Sequence, residues 1–116
     1  MNNGKILIVQ FWSETTITEI FAKELLHLLT EKAKMTPIDD IQIWKYPVLE
    51  GKGGIGITAV LPFVESFAAL DSWPEQKRSV LFFYSCKHFD TEVLVSVVKE
   101  LLKTTKISYD IVYLYN

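Results

Sequence analysis

Residues 55–86 run IGITAVLPFVESFAALDSWPEQKRSVLFFYSC. Three apolar runs rich in β-branched and aromatic residues follow one another: Ile55–Leu61, Phe63–Ser72 and Lys77–Cys86. Short runs of this composition between turn residues suit strands. Pro62 has no N–H to give to a ladder, so it belongs at a strand end or edge and hinges the first two strands. "SWPEQK" is the next turn. Three strands joined this closely form antiparallel hairpins.

The flanking segments fit the same plan. Lys5–Ser13, "KILIVQFWS", has the composition of a central strand. Thr15 or Thr16 can cap the helix that follows, with Glu19 placed for a capping box. Ile17, Ile20, Phe21, Leu25, Leu28 and Leu29 recur at helical spacing as far as about Ala33. "MTP" ends this helix, and residues 38–47 read as a strand with Ile41, Ile43 and Lys45 facing one way. Asp90 caps a second helix, Thr91–Lys103, with Leu94, Val97, Val98, Leu101 and Leu102 inward. Residues 107–116 close the chain as an alternating strand. The order is β-α-β-β-β-β-α-β. Two helices cannot cover both faces of so wide a sheet, so both lie on one face. The expected fold is α+β, a two-layer α/β sandwich with a mainly antiparallel sheet. Its uncovered face needs a partner or carries a site.

The chain has 116 residues, enough for one domain over residues 1–116 and too few for a second core. Hydrophobic residues make up 49% and charged residues 22%, which suits a folded domain. Net charge is −2 with no basic stripe, which argues against nucleic acid as a partner. One cysteine precludes an internal disulfide and suits a reduced, cytoplasmic setting. The first apolar run is too short for a signal peptide or a membrane span. The Gly-rich residues 50–54, "EGKGG", precede a strand and lack phosphate-loop spacing, so they read as a β-connection.

Nucleophilic and metal-binding constellations are scarce. His27 lies among helix leucines without a second ligand at i+4, and His88 stands two residues after Cys86. No metal site is expected. A Cys–His hydrolase needs the two side chains close in space, which a loop at His88 does not ensure. Singly, Cys86 reads as a small buried hydrophobe, and Glu65–Ser66 as strand residues with alternate polar groups facing solvent.

Together they match a pattern. Glu65-Ser66, then Trp73-Pro74-Glu75, then Cys86 thirteen residues after the tryptophan, resemble the small prokaryotic S-adenosylmethionine decarboxylases. That family's pattern is roughly E-S-H-x-[ST]-I-H-T-W-P-E, followed by a strand ending in cysteine. "GKILIVQFW" is similar to the family's opening G-[RK]-H-L and strand. The length and element order agree over essentially the whole chain.

The resemblance implies a self-processing enzyme. Ser66 attacks the Glu65 carbonyl, the chain is cut between them, and Ser66 becomes a pyruvoyl cofactor. That group forms a Schiff base with the substrate amine and takes up electrons as CO₂ leaves. Cys86 is then the proton donor, a role that suits a thiol with a reference pKa of about 8.5. Thr58, eight residues before Ser66, holds the position of a hydroxyl that assists processing, and Asp71 the position of a histidine that does so. Phe67 stands for a second histidine, Ala69 for a small hydroxyl residue, Ile6 for the opening histidine and Gln10 for a first-strand carboxylate. The family's P-E-x-G-x-A reads "PEQKRSV" here. Substrate contacts are expected from Gln10, Tyr46, Phe67, Trp73 and Glu75.

The implied function is a pyruvoyl-dependent decarboxylase of polyamine (spermidine) biosynthesis, or a relative with altered substrate. Its substrate is S-adenosylmethionine or a related amino acid. It acts as a cytoplasmic homodimer without membrane or nucleic-acid partners. The alternative is an unprocessed, inactive paralogue serving as a binding or regulatory module. A Cys86-dependent hydrolase is a third reading.

Overall fold

Side chains alternate between two environments along the strands. In β1 (Asn2–Trp12), Leu7, Val9 and Phe11 are fully buried, while Ile6, Ile8 and Gln10 between them are half-buried. The same period of two marks β3 (Ile55–Phe63), β4 (Ser66–Trp73) and β5 (Arg78–Ser85). One sheet face is therefore sealed and the other is not. The computed structural model describes residues 2–47, 54–103 and 106–115. The Gly-rich segment, apart from Gly54, lies outside them.

Helix α1 (Glu19–Lys32) follows β1, strand β2 (Gln42–Pro47) precedes β3, and helix α2 (Thr91–Leu102) with strand β6 (Ile107–Tyr115) completes the chain. The six strands lie in the order β2-β3-β4-β5-β1-β6, and every ladder is antiparallel. Ala22, Leu25, Leu26 and Leu29 of α1 and Leu94, Val97 and Val98 of α2 bury against the sheet residues Leu61, Phe63, Leu70, Leu81 and Phe83. Helix α1 lies over β3 and β4 and packs on α2. The fold is an α+β two-layer sandwich, as expected.

Several boundaries move, each for a local reason. Thr18, not Thr15 or Thr16, caps α1 by accepting from Phe21 N at 3.1 Å. Glu19 thereby becomes the first helical residue, too early for a capping box. Ile20 is exposed, and Ala22 and Leu26 take its place in the buried stripe. Asp90 caps α2 as expected, its Oδ1 accepting from Glu92 N and Val93 N. Strand β2 starts at Gln42, yet Ile43 and Lys45 do face the helices, and Lys45 reaches Glu19 of α1 at 3.9 Å.

Pro62 lies inside β3, and the turn falls at Val64–Glu65. The β2 ladder stops at Gln42–Val60, so the neighbour on that side needs no N–H from Pro62. At the far end of the sheet, Lys77 adopts φ +52°, where the family pattern carries a glycine. Its ammonium meets Glu14 at 2.7 Å and holds that carboxyl below the usual carboxylate range, with Lys106 adding to the effect. Among the described residues no helix is long and apolar enough to cross a membrane.

Candidate functional site

The Glu65–Ser66 bond sits where β3 turns into β4. Ser66 pairs with Phe63 across the turn and with Ser85 on β5, so the bond lies beside the end of β5. Three donors converge there on the Glu65 carbonyl oxygen. Cys86 N–H donates at 3.2 Å, the Cys86 thiol at 3.3 Å, and the Ser85 hydroxyl, whose single proton is shared with Met35 Sδ at 3.7 Å, lies at 3.4 Å. Ser85 Oγ is itself fixed by accepting from Lys87 N at 2.9 Å. Cys86 is exposed, just past the end of β5, and not the buried hydrophobe that its residue type suggests. Ser66 has φ +154°, a conformation that L-residues rarely adopt and that costs energy to hold.

The surroundings enforce this geometry. Val64 N donates to Thr36 O at 2.8 Å, and Thr36 N donates to Glu65 Oε1 at 3.1 Å. Pro37 bridges to Phe63, and Ile38 N reaches Pro62 O at 3.2 Å. The turn is thus sewn to the segment that follows α1. On the other side, Gly4 (φ +106°) lets β1 pass close: a Cβ there would overlap the Ser85 carbonyl oxygen and lie 2.9 Å from Cys86 Cα.

The other expected processing residues form a second cluster. Thr58 and Asp71 are register partners on the open face, and the Thr58 hydroxyl donates to Asp71 Oδ1. Asp71 is five residues from Ser66 along β4, which at strand rise separates them by about 17 Å. The two clusters do not meet within one chain.

The open face also carries most of the expected substrate residues. Phe67, 37% exposed, stacks on Phe82 at 6.1 Å and meets Tyr84 edge-on at 5.9 Å. Trp73 lies under the Arg78 guanidinium, 5.0 Å from ring centre to Cζ, and Gln10 accepts from Arg78 Nη1 at 2.8 Å. Tyr46 on the edge strand β2 packs its ring over Gly56 of β3, and Glu75 is exposed in the 3-10 turn Pro74–Gln76. His27 and His88 are exposed. Among the described residues no group of three or more His, Cys, Asp or Glu could hold a metal ion.

Sequence reasoning missed Ser85, Thr36, Gly4 and Arg78. A hydroxyl directly before the cysteine was a visible signal for Ser85. Thr36 acts through its backbone, which no side-chain pattern reveals.

A carbonyl that accepts hydrogen bonds, beside a hydroxyl on the next residue, is the kind of geometry that an intramolecular acyl transfer would use.

No curated protein sequence matches the chain. Among solved structures it is similar to the adenosylmethionine decarboxylase from Aquifex aeolicus VF5, with a TM-score of 0.73 at 17% identity. The match covers 95% of this chain and 88% of that one, and at this identity it speaks for the fold. The family model described as S-adenosylmethionine decarboxylase matches residues 9–113, a span holding Thr58, Glu65, Ser66, Asp71 and Cys86. Fold and family match agree, and the chain belongs to the S-adenosylmethionine decarboxylase family.

Proposed function

We propose that the chain is a self-processing decarboxylase acting on S-adenosylmethionine or a related amino acid, in the cytoplasmic route to polyamines such as spermidine. The observation that carries this reading is the convergence of Cys86 N–H, the Cys86 thiol and the Ser85 hydroxyl on the Glu65 carbonyl beside a strained Ser66.

The first step follows from that geometry. Ser66 Oγ adds to the Glu65 carbonyl carbon, and the charge that develops on oxygen meets the converging donors. Collapse breaks the C–N bond, the hydroxyl proton passes to Ser66 N, and an ester joins the two residues. Loss of the Ser66 Cα proton then breaks the Cβ–Oγ bond, releasing the Glu65 carboxylate as a new chain end. Tautomerisation and hydrolysis of residue 66 release ammonia and leave the pyruvoyl group. The residues present fit this group, since residue 66 is a serine whose preceding carbonyl is already polarised. When formed, it supplies the electron sink for loss of CO₂. Cys86 then holds the proton at Sγ that returns to the substrate carbon.

Thr58 and Asp71 are too far from Ser66 to act on it in their own chain. Across the open sheet face, a second copy could bring them to it, so the active form in this reading is a homodimer. The aromatic patch of Phe67, Phe82 and Tyr84 gives that face apolar area to bury.

The reading is tested by CO₂ release from carboxyl-labelled S-adenosylmethionine. Release by the wild-type chain, abolished in Ser66→Ala and strongly reduced in Cys86→Ala, is expected. Release that persists in Ser66→Ala would overturn it.

A second reading has its own observation. The positions that carry histidines in the family hold Phe67 and Asp71, and the Asp71 carboxylate is engaged by Thr58. That arrangement favours an unprocessed module which keeps the fold and a binding face, and an uncleaved chain without decarboxylase activity would support it.

A further inference from the structure

Lys5 is a cation inside the sandwich. It precedes Leu7 by two residues on β1, so its side chain points to the covered face, and it is 8% exposed. Its ammonium stands over the Phe89 ring, 4.6 Å from the centroid, and Phe89 is buried against Phe83. Taking a charge out of water costs free energy that a ring face offsets only in part. The ion pairs among the described residues are Lys45–Glu19 and Lys77–Glu14, so no carboxylate is paired with Lys5. The Glu65 side chain does not supply one, because its carboxylate is tied to Thr36 N.

The strand register carries this cation to the Glu65–Ser66 turn. Lys5 faces Ser85 across β1 and β5, Ser85 faces Ser66 across β5 and β4, and Ser66 faces Phe63. Directly paired residues project to the same face, so the Lys5 and Ser85 side chains stand side by side under the helices. Ser85 is fully buried, and its hydroxyl lies 3.4 Å from the Glu65 carbonyl oxygen. Strands are about 4.8 Å apart, which puts Lys5 two strands, or about 10 Å between Cα atoms, from Ser66. An extended lysine side chain reaches past Ser85 toward the Glu65 carbonyl.

We infer that Lys5 is the counter-ion for the negative charge that cleavage creates at Glu65, an inference that rests on the self-processing reading. When Ser66 Oγ adds to the Glu65 carbonyl carbon, charge develops on the carbonyl oxygen. When the Cβ–Oγ bond later breaks, that oxygen and Oγ become a full carboxylate at the new chain end. Ser85 touches this group, and Lys5 stands one strand beyond in an interior that screens charge poorly. Before cleavage the ammonium rests on the Phe89 ring. Afterwards, turning across Ser85 to the carboxylate exchanges a ring face for an ion pair. Lys5 and Glu65 both belong to the fragment of residues 1–65, so the pair ties the new chain end to β1. Lys5 moves no proton in this account; it places positive charge where the reaction makes negative charge.

The test compares Lys5→Met, which keeps an unbranched apolar stem without the charge, with Lys5→Arg, which keeps the charge. Each is made in the wild-type chain and in Ser66→Ala, which cannot cleave. Fragment appearance is followed on gels, and thermal unfolding is measured for the cleaved and the uncleavable chains. Lys5→Met should cleave at least about tenfold more slowly than wild type, as loss of a charge-assisted contact implies, and Lys5→Arg should recover most of the rate. Lys5→Met should also lower Tm in the cleaved chain yet leave it equal or higher in Ser66→Ala, where the cation has no anion to meet. A packing role alone would lower Tm equally in both backgrounds, and that result would overturn the inference. Cleavage of Lys5→Met at the wild-type rate would overturn it too, as would a Lys5→Met chain that fails to fold even with Ser66→Ala. A wild-type chain that never cleaves would overturn the decarboxylase reading and this inference together, whereas the other outcomes leave that reading intact.

Discussion

Glu65 contributes twice to the β3–β4 turn. Its carbonyl is the acceptor on which the three donors converge, and its carboxylate is tied to Thr36 N. A side chain anchored this way fixes the plane of the peptide bond that follows, so the Cys86 and Ser85 donors stay aimed at one oxygen. Ser85 is the donor to remove, since the Cys86 N–H belongs to the backbone and the thiol has a second proposed role; its loss also frees Lys87 N, which donates to Ser85 Oγ. Ser85→Ala should slow cleavage at Glu65–Ser66 by about ten- to a hundredfold, somewhat less than a short oxyanion-hole bond would, because this contact is long. A gel time course of freshly made protein reads this directly. Cleavage at the wild-type rate would remove Ser85 from the mechanism.

At the scale of the elements, the strands were legible because their composition and alternation are set by one sealed face. Leu7, Val9 and Phe11, or Leu81 and Phe83, announce an inward row without any knowledge of neighbours. The two helices were legible from their leucine and valine spacing, and Asp90 from its place before an apolar run. What failed was local. The Thr15, Thr16 and Thr18 hydroxyls are equivalent in sequence, and the choice among them depends on where β1 releases the chain. The hinge expected at Pro62 falls at Val64–Glu65, while Pro62 itself stands next to the end of β3 and past the last pair of the β2 ladder, as a strand end or edge requires. The position of Glu65 and Ser66 follows from this. Glu65 lies in the turn and Ser66 opens β4, and only the register shows that Cys86 comes back beside them. The sequence motif placed Ser66 and Cys86 in one site, whereas Thr58 and Asp71 are legible as a pair only once β3 and β4 are in register.

The whole molecule has one sheet face covered by helices and one that is not. On the open face, Trp44 is 54% exposed and Phe67 37%, with Phe82 and Tyr84 packed beside Phe67. An apolar face of this kind favours a partner, and a two-fold copy is the arrangement that would carry Thr58 and Asp71 toward the other chain's Ser66. Phe67→Asp places a charge at the centre of that contact. Sedimentation should show wild type as a dimer and Phe67→Asp as a folded monomer, and a monomeric wild type would remove the shared-site account. The central claim concerns one bond, and intact-mass spectrometry of the purified chain over time reads it most directly. The account predicts two fragments, residues 1–65 and 66–116, the second carrying the mass of a pyruvoyl group in place of serine, and a single full-length species for Ser66→Ala. A wild-type chain that keeps its full-length mass through prolonged incubation would contradict it.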